Sequence, residues 1–379
     1  METPFLYGRI AENENFTDRD SEVEFLVRNF ESLINTIIIS PRRWGKTSLV
    51  NKAARILREK EADVLICQVD IFNCRTEEEF YTAFANAVLR SAATAWEEFV
   101  RGVKKYLGQL APIVSMSDEG QTYEFSFGLS FKDANLSYDE ILDLPQTIAN
   151  DKGKKVIVCI DEFQNINEYG DSPAFQRKLR AHWQKHSSVA YCLYGSKRHM
   201  LLDIFNSYNM PFYKFGDILF LQKIKKEEWI PFISRRFADT GKRIAPELSG
   251  LIADKMRNHP YYTQQLSQQV WLRTPPDAEC TLAIVEEAFR ALIDQLSLLF
   301  ANIVDALTPR QIGFLLAVAD GVTNFSSREV LERYKLGTSS NIKNLRNATL
   351  EKDLIDLLPG GRIEMQDPAF EYWLKHVYR

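Results

Sequence analysis

No two cysteines of this sequence stand in a C-x-x-C pair. The five present (Cys67, Cys74, Cys159, Cys192 and Cys280) are scattered and odd in number, which supports neither a disulfide framework nor a thiolate zinc site. Cys67, Cys159 and Cys192 sit in apolar, strand-like runs, where cysteine acts as a small buried hydrophobe. No segment approaches the roughly 18 to 20 apolar residues that a spanning helix needs, so no membrane partner is expected. The opening METPFLYGRIAENENF lacks the basic end and apolar centre of a signal peptide, and a cytoplasmic location is the expectation. An excess of positive charge is missing too. The net charge is −4, so any nucleic-acid binding must come from a local patch.

What is there is the composition of a folded protein, 45% hydrophobic and 26% charged. A chain of 379 residues is too long for one ordinary domain, and two or three are expected. Short apolar runs bounded by polar turns recur at Thr36–Ile39, Val64–Ile71, Lys155–Ile160, Val189–Tyr194 and Ile218–Leu221. They read as buried parallel strands. Helical periodicity fills Lys46–Lys60, Glu77–Lys105, Asp171–His186 and a segment around His199–Asn206. Such alternation predicts a three-layer α/β core over 1–222.

One stretch breaks the rhythm. From Tyr123 to Phe131 apolar and polar residues alternate strictly, as on a half-buried strand. With Pro112–Ser117 before it, it predicts a β-hairpin inserted at about 111–133. Its aromatic face either packs on the parent domain or docks a partner or neighbouring subunit. After residue 222 the pattern becomes purely helical: Glu227–Thr240, Pro246–Asn258, Tyr261–Leu272 and Leu282–Phe300, with a break at Thr274–Pro275–Pro276. This predicts a helical domain over 223–302. Over 303–379, three helical patterns precede two short strands around Pro359–Gly360–Gly361, the outline of a winged helix-turn-helix.

The chemistry begins where Thr36–Ile39 runs into SPRRWGKTS and then a helix. A strand, a loop and a helix N-terminus in that order form a phosphate cradle, the P-loop, here Ser40, Pro41, Arg42, Arg43, Trp44, Gly45, Lys46, Thr47 and Ser48. In that geometry Lys46 reaches the β- and γ-phosphates and the Thr47 hydroxyl ligates Mg²⁺. Gly45 allows the tight bend. Ser40 stands where the motif has its first glycine, which is tolerable if that turn avoids strongly positive φ. A second half-site answers the first: the strand Lys155–Ile160 ends in Asp161–Glu162. Asp161 would hold Mg²⁺ through water, and Glu162 would polarise the attacking water as general base. After Val189–Tyr194, Ser196 is placed to sense the γ-phosphate. Arg198 is either an arginine finger or sensor, or a surface arginine that opens a helix.

FTDRDSEVEFL, SPRRWGKTSLV, IDEFQNI, YGSKRHM, NHPYYTQQL and DPAFEYWL, in this order, resemble the archaeal-type ATPase family, of the P-loop division that contains the AAA+ and STAND ATPases. The resemblance covers nearly the whole chain. It implies ATP and Mg²⁺ as ligands, an ATPase core, a helical lid and a winged helix. By position it implies that Phe16 and Arg19 flank the adenine. It also implies that His259–Pro260 is the lid motif, with Asn258 in place of a glycine; a plain helix break at Pro260 is the other reading.

In the last domain Ser339–Lys352 is the candidate recognition helix, with Ile342, Leu345 and Leu350 as its core stripe and Asn341, Lys343, Asn344, Arg346 and Asn347 facing outward. Those residue types can read bases and meet phosphates, but nearby acidic residues leave the domain near neutral, so DNA and protein both stay open as partners. The leading expectation is an ATP-driven switch, with nucleotide between core and lid repositioning the winged helix. A DNA-binding regulator with structural or slowly hydrolysed ATP is the alternative. A nucleotide-dependent homo-oligomeric motor, taking an arginine in trans, is the third reading.

Overall fold

The computed structural model describes residues 3–11, 13–93, 95–107, 113–119, 122–128 and 138–379. They fall into two compact units, one of Arg19–Arg42 and Lys46–Leu221, the other of Met1–Asp18, Arg43–Gly45 and Gln222–Arg379.

The first unit runs α1 (Asp20–Glu31), β1 (Thr36–Ile39), α2 (Lys46–Lys60), β2 (Val64–Asp70), α3 (Glu77–Ser91), α4 (Trp96–Leu107), β3 (Ile113–Glu119), β4 (Thr122–Gly128), α5 (Asp139–Lys152), β5 (Lys155–Asp161), α6 (Ser172–Trp183), β6 (Val189–Gly195), α7 (Arg198–Asn206) and β7 (Asp217–Phe220). Five strands make one parallel sheet in the order β2-β5-β6-β1-β7. Every residue of β1 and β6 is buried, as strands covered on both faces must be, and both are mostly apolar for that reason. Side-chain caps fix helix starts: Thr76 accepts from Glu79 N and Asp171 from Ala174 N. Rings fill the core, with Trp183 stacked on Tyr191 at 4.2 Å and Phe80 on Phe84 at 5.7 Å.

The second unit carries α8 (Lys226–Ala238), α9 (Pro246–Lys255), α10 (Pro260–Arg273), α11 (Leu282–Asp305), α12 (Pro309–Ala319), α13 (Arg328–Arg333), α14 (Asn341–Glu351), β8 (Ile355–Leu357), β9 (Ile363–Met365) and α15 (Pro368–Trp373). One hydrophobic cluster, including Trp229, Phe289, Phe314 and Phe370, runs through all of it. Thr308 and Gln311 form a capping box at α12. β8 and β9 pair antiparallel, Ile355 opposite Met365, across a turn in which Gly360 and Gly361 take positive φ. The N-terminal segment belongs here: Phe5 packs on Phe232 and Phe237, and Arg236 donates to Pro4 O at 2.6 Å and Asn15 Oδ1 at 2.8 Å.

One sequence expectation is corrected. The long helix expected over Glu77–Lys105 is two, α3 and α4, because α3 ends at Ser91 with Ala92 as its C-cap. In the sheet β6 lies between the loop strand β1 and the Asp161 strand β5, and β2 is an edge strand. β3 and β4 form the expected hairpin, Met116 opposite Phe125. The rest of the 111–133 insertion, and the side chains of its aromatic face, lie outside the described residues. Among the described residues no helix is long and apolar enough to cross a membrane.

Candidate active site at the ends of β1, β5 and β6

The loop after β1 turns on two residues with left-handed backbone, Arg43 (φ 65°) and Gly45 (φ 86°). A Cβ on Gly45 would meet nothing within 4 Å, so its demand is conformational. Ser40 is not among the residues with positive φ; serine therefore serves where the motif has glycine. Its Oγ donates to Pro41 O at 3.2 Å. α2 begins at Lys46, so the loop delivers the N–H groups of a 15-residue helix to one point, the arrangement that binds anions.

Lys46 is buried and donates from Nζ to Pro41 O at 3.0 Å. Burial pushes its pKa down to about 8, against the pull of the Glu162 and Asp161 carboxylates. Thr47 Oγ1 donates to Asp161 Oδ2 at 2.8 Å, although 114 positions separate the two. Burial pushes the Asp161 carboxyl up to about 6; the Thr47 hydrogen bond works the other way. A buried lysine beside a hydroxyl–carboxylate pair suits a nucleotide phosphate with a hard divalent cation, whose preferred ligands are oxygens. Thr47 and Asp161 would hold Mg²⁺, Lys46 the phosphates.

Glu162 follows Asp161 in left-handed conformation (φ 55°, ψ 36°), strained for a residue with a Cβ. The turn swings its carboxylate toward the end of β6. There Ser196 donates to Glu162 Oε2 from both Oγ, at 2.8 Å, and N, at 3.2 Å. A residue not anticipated from sequence, Gln164, donates to the same oxygen from Nε2 at 2.5 Å. The parallel pairing of β5 and β6, Ile160 opposite Leu193, sets this convergence.

The remaining candidates are spread more widely. Arg19 is buried and pairs with Glu22 at 2.9 Å. It belongs to the first unit and half-buried Phe16 to the second. Ser48 is buried in α2. Arg42 is exposed. Arg198 opens α7, half-buried. In the second unit Arg43 lies over the Tyr261 ring at 4.7 Å and Trp44 meets His259 edge-on at 6.4 Å. Burial, with Lys223 and Arg43 nearby, pushes His259 down to about 3, so it is neutral at ordinary pH. Pro260 is buried in the first turn of α10, where its missing N–H costs nothing. Arg257 and Asn258 are both left-handed (φ 48° and 59°), which explains why asparagine can replace a glycine there.

Residues 298–376 match a family model described as a probable winged helix domain. Among curated proteins none matches the chain closely enough to count as a relative. Several solved structures share its fold. A Walker-type ATPase of Pyrococcus abyssi is similar at 16% identity and TM-score 0.68, over 98% of this chain and 99% of that one. The ORC2 protein of Aeropyrum pernix, solved in ADPNP–ADP complexes, is similar at 14% identity and TM-score 0.57, over 96% and 94%. The ORC1 protein of the same organism, solved in complex with DNA, reaches 14% and 0.50, over 96% and 93%. The chain thus shares the fold of these proteins, a mixed α/β core on a parallel five-stranded sheet, with a winged helix domain over its last residues.

Proposed function

We propose that this chain binds Mg²⁺–ATP at Ser40–Ser48, hydrolyses it, and uses the cycle as a switch for its winged helix. One observation carries the reading: the Thr47–Asp161 hydrogen bond, which joins two half-sites from distant parts of the sequence beside a buried Lys46. Thr47 and Asp161 would hold Mg²⁺, which when bound would supply positive charge against the phosphates. Lys46 would neutralise the β- and γ-phosphates. Glu162 would take the proton of the attacking water.

The switch rests on a chain of contacts in the second unit. Arg43 of the loop covers Tyr261. The next residue, Tyr262, hydrogen-bonds Asp367 Oδ2. Asp367 Oδ1 caps α15 by accepting from Ala369 N and Phe370 N. A phosphate that draws on Arg43 alters the field at that cap.

Steady-state hydrolysis by the wild type and Glu162→Gln tests the chemistry. Removing the base should lower kcat by a factor of about 10² to 10⁴ while leaving ATP bound. Equal rates would discard the assignment. Hydrogen exchange at Ala369 and Phe370, compared between nucleotide-free and ATP-loaded Glu162→Gln, tests the switch; unchanged protection counts against it.

A second reading, a DNA-binding regulator, draws on α14, which exposes Lys343, Asn344 and Asn347. A structural neighbour has been solved on DNA. Binding that falls steeply with salt and is lost in Lys343→Ala would favour it.

A further inference from the structure

The Glu162 carboxylate is held at one end only. All three of its hydrogen-bond donors (Gln164 Nε2, Ser196 Oγ and Ser196 N) meet on Oε2. Among the described residues Oε1 accepts none. Two acceptor oxygens treated so unequally leave one oxygen committed and the other available.

Gln164 is built into this place rather than resting there. It is 1% exposed. Its neighbour Asn165 donates to Ile71 O at 3.3 Å and Phe72 O at 3.2 Å, tying the turn after Glu162 to the chain that leaves β2. On the other side the amide lies against the bare backbone of Gly195. A Cβ on residue 195 would fall 1.8 Å from Gln164 Oε1 and 2.9 Å from its Cδ. Any side chain there would evict the amide. Gly195 is thus the residue that makes room for Gln164.

We propose that Gln164 is a positioning residue for hydrolysis, acting through Glu162; this rests on the ATPase reading above. By fixing Oε2 together with Ser196, it sets the carboxylate rotamer and presents Oε1 to the attacking water. In the step it serves, the water oxygen bonds to the γ-phosphorus and the water proton passes to Glu162 Oε1. The bond from the γ-phosphorus to the bridging oxygen breaks, and ADP leaves with the electron pair. In this role Gln164 acts through the Glu162 carboxylate alone. Its contribution is alignment, and a small misplacement of a reacting group lowers the rate steeply.

Three variants test this, with kcat, KM and the affinity for a fluorescent ADP measured for each. Gln164→Met keeps the volume and removes the donor. Gly195→Ala displaces the amide while residue 164 stays glutamine. Both should lower kcat about tenfold or more and leave KM and ADP affinity within about twofold. ADP affinity at the wild-type level shows that a variant is folded. Gln164→Met placed in Glu162→Gln should change the residual single-turnover rate less than about twofold, because the group it positions is gone. A kcat in Gln164→Met equal to or above wild type overturns the proposal. So does an effect confined to KM, or a loss of equal size in the Glu162→Gln background. Failure of the ATPase reading looks different: the wild type would not hydrolyse ATP, or Glu162→Gln would match it, and the positioning role would fall with it.

Discussion

The ends of β5 and β6 and the interior of α10 both bury polar side chains; among the described residues the first partners most of them, leaving Gln164 Oε1 over, and the second leaves several without partners. At the strand ends Thr47 finds Asp161, and Glu162 finds Ser196 and Gln164. Along α10, Thr263 Oγ1, Gln265 Oε1 and Gln268 Oε1 are buried with no hydrogen-bond partner among the described residues. A partnered polar group gains little net stability, but it holds charge at a fixed point; an unpartnered one bears its desolvation cost without return. Hydrogen bonding in the first region thus serves placement, and the polar row of α10 is a cost carried by the apolar core around it.

The largest effect expected on that comparison is on the charged side. Lys46→Ala should weaken ATP binding about a hundredfold, the loss of one strong charge-assisted contact, as read by equilibrium titration. A tenth of that loss would mean that the loop does not depend on its lysine.

Protonation should shape the same affinity. Asp161 must lose its proton to meet Mg²⁺, so binding should strengthen as pH rises through about 6. Lys46 must keep its proton to meet phosphate, so binding should weaken as pH rises past about 8. Lys46→Arg should remove the alkaline limb, because arginine stays charged; an unchanged limb would assign it to another group. Stability of the free protein should run the other way. The folded Asp161 holds its proton more tightly than the unfolded one, so its contribution falls between pH 3.8 and about 6. The folded Lys46 holds its proton less tightly, so its contribution rises from about 8 to 10.5.

The same isosteric change should then have opposite signs in the two regions. Thr47→Val leaves Asp161 Oδ2 without its donor and should destabilise by about 1 to 3 kcal/mol in urea unfolding. Thr263→Val removes a hydroxyl that has no partner among the described residues and should stabilise by about 1 kcal/mol or less. Equal signs would erase the distinction.

The elements that announce themselves in sequence are those whose neighbours are fixed by periodicity. β1 and α2 appear with the residues expected, since an apolar run and a helix start flank the loop. α1 was not expected; its start at Asp20 has no side-chain cap, only a left-handed Arg19 before it. Neither was α5, which carries Pro145 in its interior, a residue that normally ends a helix. Ser196 and Glu162 were legible as strand-end residues, but not their hydrogen bond. Gln164 left two faint signals, its own amide two places after Glu162 and a glycine beside Ser196. Their meeting depends on the register of β5 against β6, which no local pattern encodes.

The three residues at the crown of the loop, Arg43–Gly45, belong to the second unit, where Arg43 and Trp44 meet Tyr261 and His259, although their flanks on either side belong to the first. That unit is therefore not a single run of chain. A gene fusion or truncation that carried residues 222–379 alone would leave behind the crown and the N-terminal segment. The hollow that Phe5 fills beside Phe232 and Phe237 would open, and the faces of Tyr261 and His259 would lose their covers. The second unit therefore depends on two segments that a cut at residue 222 leaves behind.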